Sequence, residues 1–237
     1  AQAPVSNVDT YNVAIGLNSQ FSTTTGVNNT AVGGSSLDQN TTGSSNVAIG
    51  KDALGANTTA ANNTAVGYAS LTANTTGTLN TAVGHSSASA LTTGTQNTVV
   101  GGNAGAITTG GNNTCLGIFT SGGALSTGDN NTGVGYASQF EITSGSNNTA
   151  IGMDSMRGTS PSGSITTQSN LVCVGNNNVS AAYIKVAWTV TSDARDKTDF
   201  TPLDLGLDFV KALQPITYKW DMRSNYGDTT ADDYDLN

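Results

Sequence analysis

A five-residue phrase, Asn-(Thr/Val)-small-(Val/Ile/Leu)-Gly, returns along the first two thirds of the 237-residue chain and constrains its fold more than any other feature. It closes on Gly16, Gly33, Gly50, Gly67, Gly84 and Gly101 at a spacing of 17, then on Gly117, Gly135 and Gly152 after steps of 16, 18 and 17. A looser copy, Asn170 to Gly175, follows after 23. A second phrase, Thr-Thr-Gly, keeps step with it at Gly26, Gly43, Gly77, Gly94 and Gly110, with variants ending at Ala60, Gly128 and Gly145. Each period therefore holds two turns. A period near 17 is too short for helical repeats, and glycine twice per period among β-branched residues disfavours helix. Strands remain, and residues 11–175 are read as about ten stacked β-coils.

The columns generated by stacking say what each position does. Before the closing glycine stand Ile15, Val32, Ile49, Val66, Val83, Val100, Leu116, Val134, Ile151 and Val174, an apolar column expected to be buried between coils. One place earlier the residues are small, mostly Ala, with Val99, Cys115, Gly133 and Cys173 as variants, as suits a site where backbones or neighbouring chains approach closely. Phe21, Leu37, Leu54, Leu71, Phe140 and Met156, four or five places after the glycine, offer a second buried row. The Asn before each strand is read as a turn residue bonding nearby backbone and forming a stacked ladder, in preference to a glycosylation acceptor in triplets such as Asn28-Asn29-Thr30.

Composition narrows function. Only 10% of residues are charged and 6% aromatic, a poor basis for a large compact core but sufficient for thin, repeated ones. A net charge of −8 without any Lys/Arg cluster argues against nucleic acid and anionic bilayers as partners. No apolar run approaches the roughly 20 residues of a membrane-spanning helix, so no membrane insertion is expected. Cys115 and Cys173 share the small column in well separated coils, which argues against a disulfide between them. His85 has no second His, Cys or carboxylate cluster at a ligand spacing, so neither a metal nor a cofactor is expected. It follows Gly84 at a position of variable residues, as Tyr68 and Tyr136 do elsewhere, and these three are the weak binding candidates of the repeats, offering rings to sugars.

After Gly175 the pattern changes. Residues 183–191 read as a strand, Ser192-Asp193-Ala194-Arg195-Asp196-Lys197 brings charge, Leu207, Val210 and Leu213 suit one face of a short helix, Pro215 stops it, and Ile216 to Met222 alternate as a half-buried strand. The chain thus divides into a lead-in (1–10), a repeat shaft (11–175), a connecting strand (176–191) and a small α+β segment (192–237).

Two resemblances attach to these residues. Ser45-Asn46-Val47-Ala48-Ile49-Gly50 and Asn170-Leu171-Val172-Cys173-Val174-Gly175 resemble the Asn-Ser-Val-Ala-Ile-Gly repeat in the heads of trimeric autotransporter adhesins, which implies a β-roll packed side by side in threes, although the period here is longer. Ser-Asp-x-Arg-x-Lys, a short helix, Pro and Tyr-x-Trp resemble the opening of the peptidase S74 family, the intramolecular chaperone at the end of endosialidase tailspikes and many phage tail fibres. That likeness implies trimer assembly and self-release, with Ser192 as nucleophile and Lys197 as assisting base. Residues 193–237 are shorter than that family's domain, so the segment is read as its start.

The expectation is an all-β, homotrimeric, β-roll or β-helix-like fibre: a virion tail-fibre shaft whose partners are itself, other fibre or tail proteins, and a host-surface glycan or protein receptor. A cell-surface trimeric adhesin and the non-catalytic part of a glycan-degrading tailspike are the alternatives. Paired carboxylates for glycan cleavage are absent from the repeats, where Asp38, Asp52, Asp129, Glu141 and Asp154 are scattered.

Overall fold

Each three-residue strand but the last is the middle of the five-residue phrase, with its Asn before the strand and its glycine after it; in the last, Leu171 stands where the Asn does elsewhere. A computed structural model describes residues 10–121 and 126–183. Strands β1 (Val13–Ile15), β2 (Thr30–Val32), β3 (Val47–Ile49), β4 (Thr64–Val66) and β5 (Thr81–Val83) form one parallel sheet in chain order. β6 (Thr98–Val100), β7 (Thr114–Leu116), β8 (Thr132–Val134), β9 (Thr149–Ile151) and β10 (Val172–Val174) continue it. The described residues are all-β without helices, a parallel β-solenoid with a period around 17. Register is constant: Ala14 pairs with Ala31, Ala31 with Ala48, Ala48 with Ala65, and so on to Ala150 with Cys173. The irregular steps of 16, 18 and 23 residues leave it unchanged, because the differences fall in turns.

Successive strand residues point to opposite faces, so only the middle one of each three enters the coil. Ala31, Ala48, Ala65, Ala82, Val99, Cys115 and Ala150 are fully buried there, which explains why that column is small. The apolar column beside the closing glycines points outward, contrary to the expectation that stacking buries it. Ile15, Ile49, Val83, Val100, Leu116, Ile151 and Val174 are exposed in the single chain, since residues two apart on a strand share a face.

The second buried row sits four places after the glycine. Leu37, Leu54, Leu71 and Met156 are fully buried, whereas Phe21, one place later, is exposed and Phe140 only half-buried. Leu37, Leu54 and Leu71 each take a left-handed backbone at φ 50°. That conformation costs about 1–2 kcal/mol for a residue with a Cβ, and burying a leucine returns roughly 1.5–3 kcal/mol. The corner is therefore held by its own core residue. Coils 2 to 4 pair this leucine with a buried Asn three places on, Asn40, Asn57 or Asn74; the next coil exchanges the stations, Ala88 with Leu91. Asn74 Oδ1 is left without a partner where that polar row stops.

The Asn before each strand forms the ladder expected of it, but its partners are not local. Asn46 Oδ1 accepts the backbone N–H of Asn63 at 3.0 Å, and Asn46 Nδ2 donates to the carbonyl of Ala60 at 2.9 Å, both in the following coil. The same two bonds recur for Asn12, Asn29, Asn63, Asn80, Asn97, Asn113, Asn131 and Asn148, within 2.7–3.0 Å. The Asn that precedes it in Asn28-Asn29-Thr30 does different work: Asn28 is exposed and turns the corner at φ 59°.

Glycine is required where coils touch. At Gly33, φ is +138°, and a Cβ there would lie 2.5 Å from the carbonyl of Gly50. On this account Ala65→Leu loses about 1–3 kcal/mol per chain by overpacking. Asn63→Leu loses a similar amount by leaving the Asn80 N–H and Gly77 carbonyl unpaired, about 1–3 kcal/mol for a buried group. Tyr68→Ala is milder than either. Thermal melting of the three variants checks the order, and equal losses would show that the columns are misassigned.

Candidate functional site

The residue after each closing glycine is carried to the coil's surface, which is where two of the sequence candidates meet. Tyr68 and His85, in consecutive coils, stack with ring centroids 5.2 Å apart and an interplanar angle of 17°. Lys51, one coil earlier, places its Nζ 5.6 Å from the Tyr68 centroid while pairing with Asp52 at 2.6 Å. Tyr136 stands apart from this group, edge-on to Phe119 at 6.0 Å. The structure thus joins Tyr68 to His85 and leaves Tyr136 elsewhere. Lys51 and Phe119 went unnoticed as neighbours, although a column with a 17-residue period puts Lys51, Tyr68 and His85 in line. Stacked rings with one paired cation form a platform on the coil's surface.

The other chemically distinct place is the step of 23 residues, where the chain makes an excursion between Met156 and Ile165. Arg157 Nη1 bonds Asp154 Oδ1 at 2.6 Å, its Nε lies 3.9 Å from Glu141, and its guanidinium covers the Phe140 ring at 4.9 Å. Both carboxylates are thereby engaged by one cation. Among the described residues no group of His, Cys, Asp and Glu is placed to hold a metal ion.

Cys115 and Cys173 are free and buried in the small column. Burial pushes the Cys115 thiol up from 9.0 to about 11, opposed by its hydrogen bond to Ser121 Oγ at 3.4 Å. A thiol held protonated in the folded state is a poor nucleophile. Ser192 and Lys197, the expected catalytic pair, lie outside the described residues, as does the expected α+β segment.

Residues 192–234 match the Peptidase S74 family, described as chaperone of endosialidase. The match begins on Ser192 and includes Lys197, so the S74 segment covers both residues singled out for self-cleavage. No curated protein and no solved structure matches the chain.

Cys115 yields a pH-dependent expectation. Unfolded, the thiol ionises near 9; folded, only near 11. Its contribution is therefore whole below pH 9 and lost as pH rises from 9 to 11. Denaturant unfolding at pH 8 and pH 10.5 should show a smaller alkaline decline for Cys115→Ala than for wild type, with alkylation of the native thiol far slower than of the unfolded one. An equal decline in both proteins would remove Cys115 from the account.

Proposed function

We propose that the chain is a segment of a homotrimeric virion fibre, of the phage tail-fibre kind, in which the solenoid is a shaft and the S74 segment assembles the trimer and then cuts itself free. The observation that carries this reading is the succession in one chain of a uniform β-solenoid and an S74 match. A slender stack has much surface for its volume, which favours a structural role in an assembly over a pocket for turnover chemistry. The fibre holds a receptor-binding part away from the particle, with other virion proteins at its ends and a host-surface glycan or protein as the eventual ligand.

Release follows from the residue types at the junction. Ser192 Oγ adds to the Thr191 carbonyl carbon as neutral Lys197 takes the hydroxyl proton. The C–N bond breaks, the proton passes to the freed Ser192 amine, and water hydrolyses the resulting ester. Lysine is a base at neutral pH only when desolvation lowers its pKa from about 10.4. Surrounding chains in the trimer supply that desolvation, so cleavage waits on assembly. The full-length protein is expected to release a fragment beginning at Ser192, and Ser192→Ala and Lys197→Ala to abolish release. Mass spectrometry of the three proteins decides: no such fragment from wild type, or the same fragment from both variants, overturns the catalytic assignment.

A further inference from the structure

We infer that the outward face of the solenoid's sheet is the surface along which three copies of this chain pack, parallel and in register. This rests on the fibre reading and adds to it which surface of the coil meets the other copies.

Ten strands present their first and third residues outward, and none of those residues is charged. The third position is aliphatic in every coil, and Ile49, Val83, Val100, Leu116 and Ile151 stay between 37% and 44% exposed in the single chain. The first position is Thr or Val throughout. The charges of the described repeats, Asp38, Lys51, Asp52, Asp129, Glu141, Asp154 and Arg157, all lie outside the strands. An unbroken apolar stripe of this length is unusual on a chain that stays single.

The strip is continuous over the whole stack. Ten coils at about 4.8 Å, three residues wide, make it roughly 45 by 10 Å, about half of the roughly 800 Å² per partner that stable interfaces bury, so the turns beside it join the contact. Regularity selects the occupant. The face repeats with the coil, so a partner matched along its whole length must share that repeat, and a second copy of this chain does. Parallel, in-register packing brings aliphatic against aliphatic in every coil, and the constant register of the sheet keeps that match from β1 to β10. Closure by rotation about an axis along the stack satisfies every chain equally, with the third-position column nearest the axis.

The test uses chain 1–237 and three variants. Light scattering of wild type should give three chains per particle. Val83→Asp with Val100→Asp should raise the concentration for half-dissociation at least about a hundredfold by burying unpaired charges, whereas Thr76→Asp with Thr93→Asp, exposed on the Thr-Thr-Gly turns, should leave the trimer intact. Because the first variant risks misfolding, Val83→Cys provides an independent measurement. Its thiols should form an interchain disulfide at least tenfold faster than those of Thr76→Cys, while the native cysteines are buried. A wild-type monomer overturns both this inference and the fibre reading. A wild-type trimer that survives the Val83/Val100 charges, or cross-links faster through Thr76→Cys, overturns the inference alone.

Discussion

Everything in the solenoid hangs on one side chain used twice. From Asn29 to Asn148 each ladder Asn is buried, accepts a backbone N–H from the next coil, and donates to the carbonyl three residues before that N–H. Together the two bonds fix one coil's height above the last and lock the corner that leads into its strand. Both are made inside a thin, low-dielectric column, where an unmade partner costs about 1–3 kcal/mol. Because both partners sit three residues apart on one corner of the next coil, steps of 16, 18 and 23 residues satisfy both bonds, and the extra residues go into the turns between them. The step of 23 residues obeys this: its excursion lies after Met156, and Asn148 still reaches the Leu171 N–H at 3.0 Å and the Gln168 carbonyl at 2.9 Å.

Coils held this close leave no space for a Cβ at the closing glycine, and they turn by left-handed residues at three places per period, for example Asp52, Leu54 and Asn62. Such corners are unfavourable one at a time. They persist because burial or inter-coil bonds hold them, and because Asn and Asp, which tolerate the conformation best after glycine, occupy many of them. The composition that looked too polar for a core is the composition this geometry requires. Low charge follows as well, since a coil whose interior is Ala, Ser, Asn and a single leucine has nowhere to pair a buried ion.

Periodicity makes the fold legible in the residues alone: the spacing of Gly16 to Gly152 sets the coil, and the β-branched residues mark the strands. Orientation was harder to read. With three-residue strands, alternation says that Ala48 and Ile49 face opposite ways but not which of them faces inward, and hydrophobicity argued for Ile49. The answer depends on volume, because the interior of so narrow a coil holds Ala with room for one larger residue per period. The reach of Asn46 across to Ala60 was equally hidden, since nothing in the local sequence marks a bond that skips 14 residues. At the candidate site, the 17-residue column put Tyr68 and His85 in neighbouring coils but could not give their stacking, and the paired role proposed for Ser192 and Lys197 rests on resemblance, not on any physical signal in the residues themselves.

The coil is an indivisible unit of construction whose ladder and glycines fit only in whole coils. Deleting residues 51–67 removes one complete period and joins Gly50 to Tyr68 in phase; deleting residues 51–58 removes about half a period and joins Gly50 to Thr59 out of phase. Far-UV circular dichroism followed through thermal unfolding distinguishes the two. The whole-period deletion should keep a β spectrum and a cooperative transition close to that of the parent, and the half-period deletion should lose both. If the two deletions unfold alike, the coil is not the unit on which this fold is built.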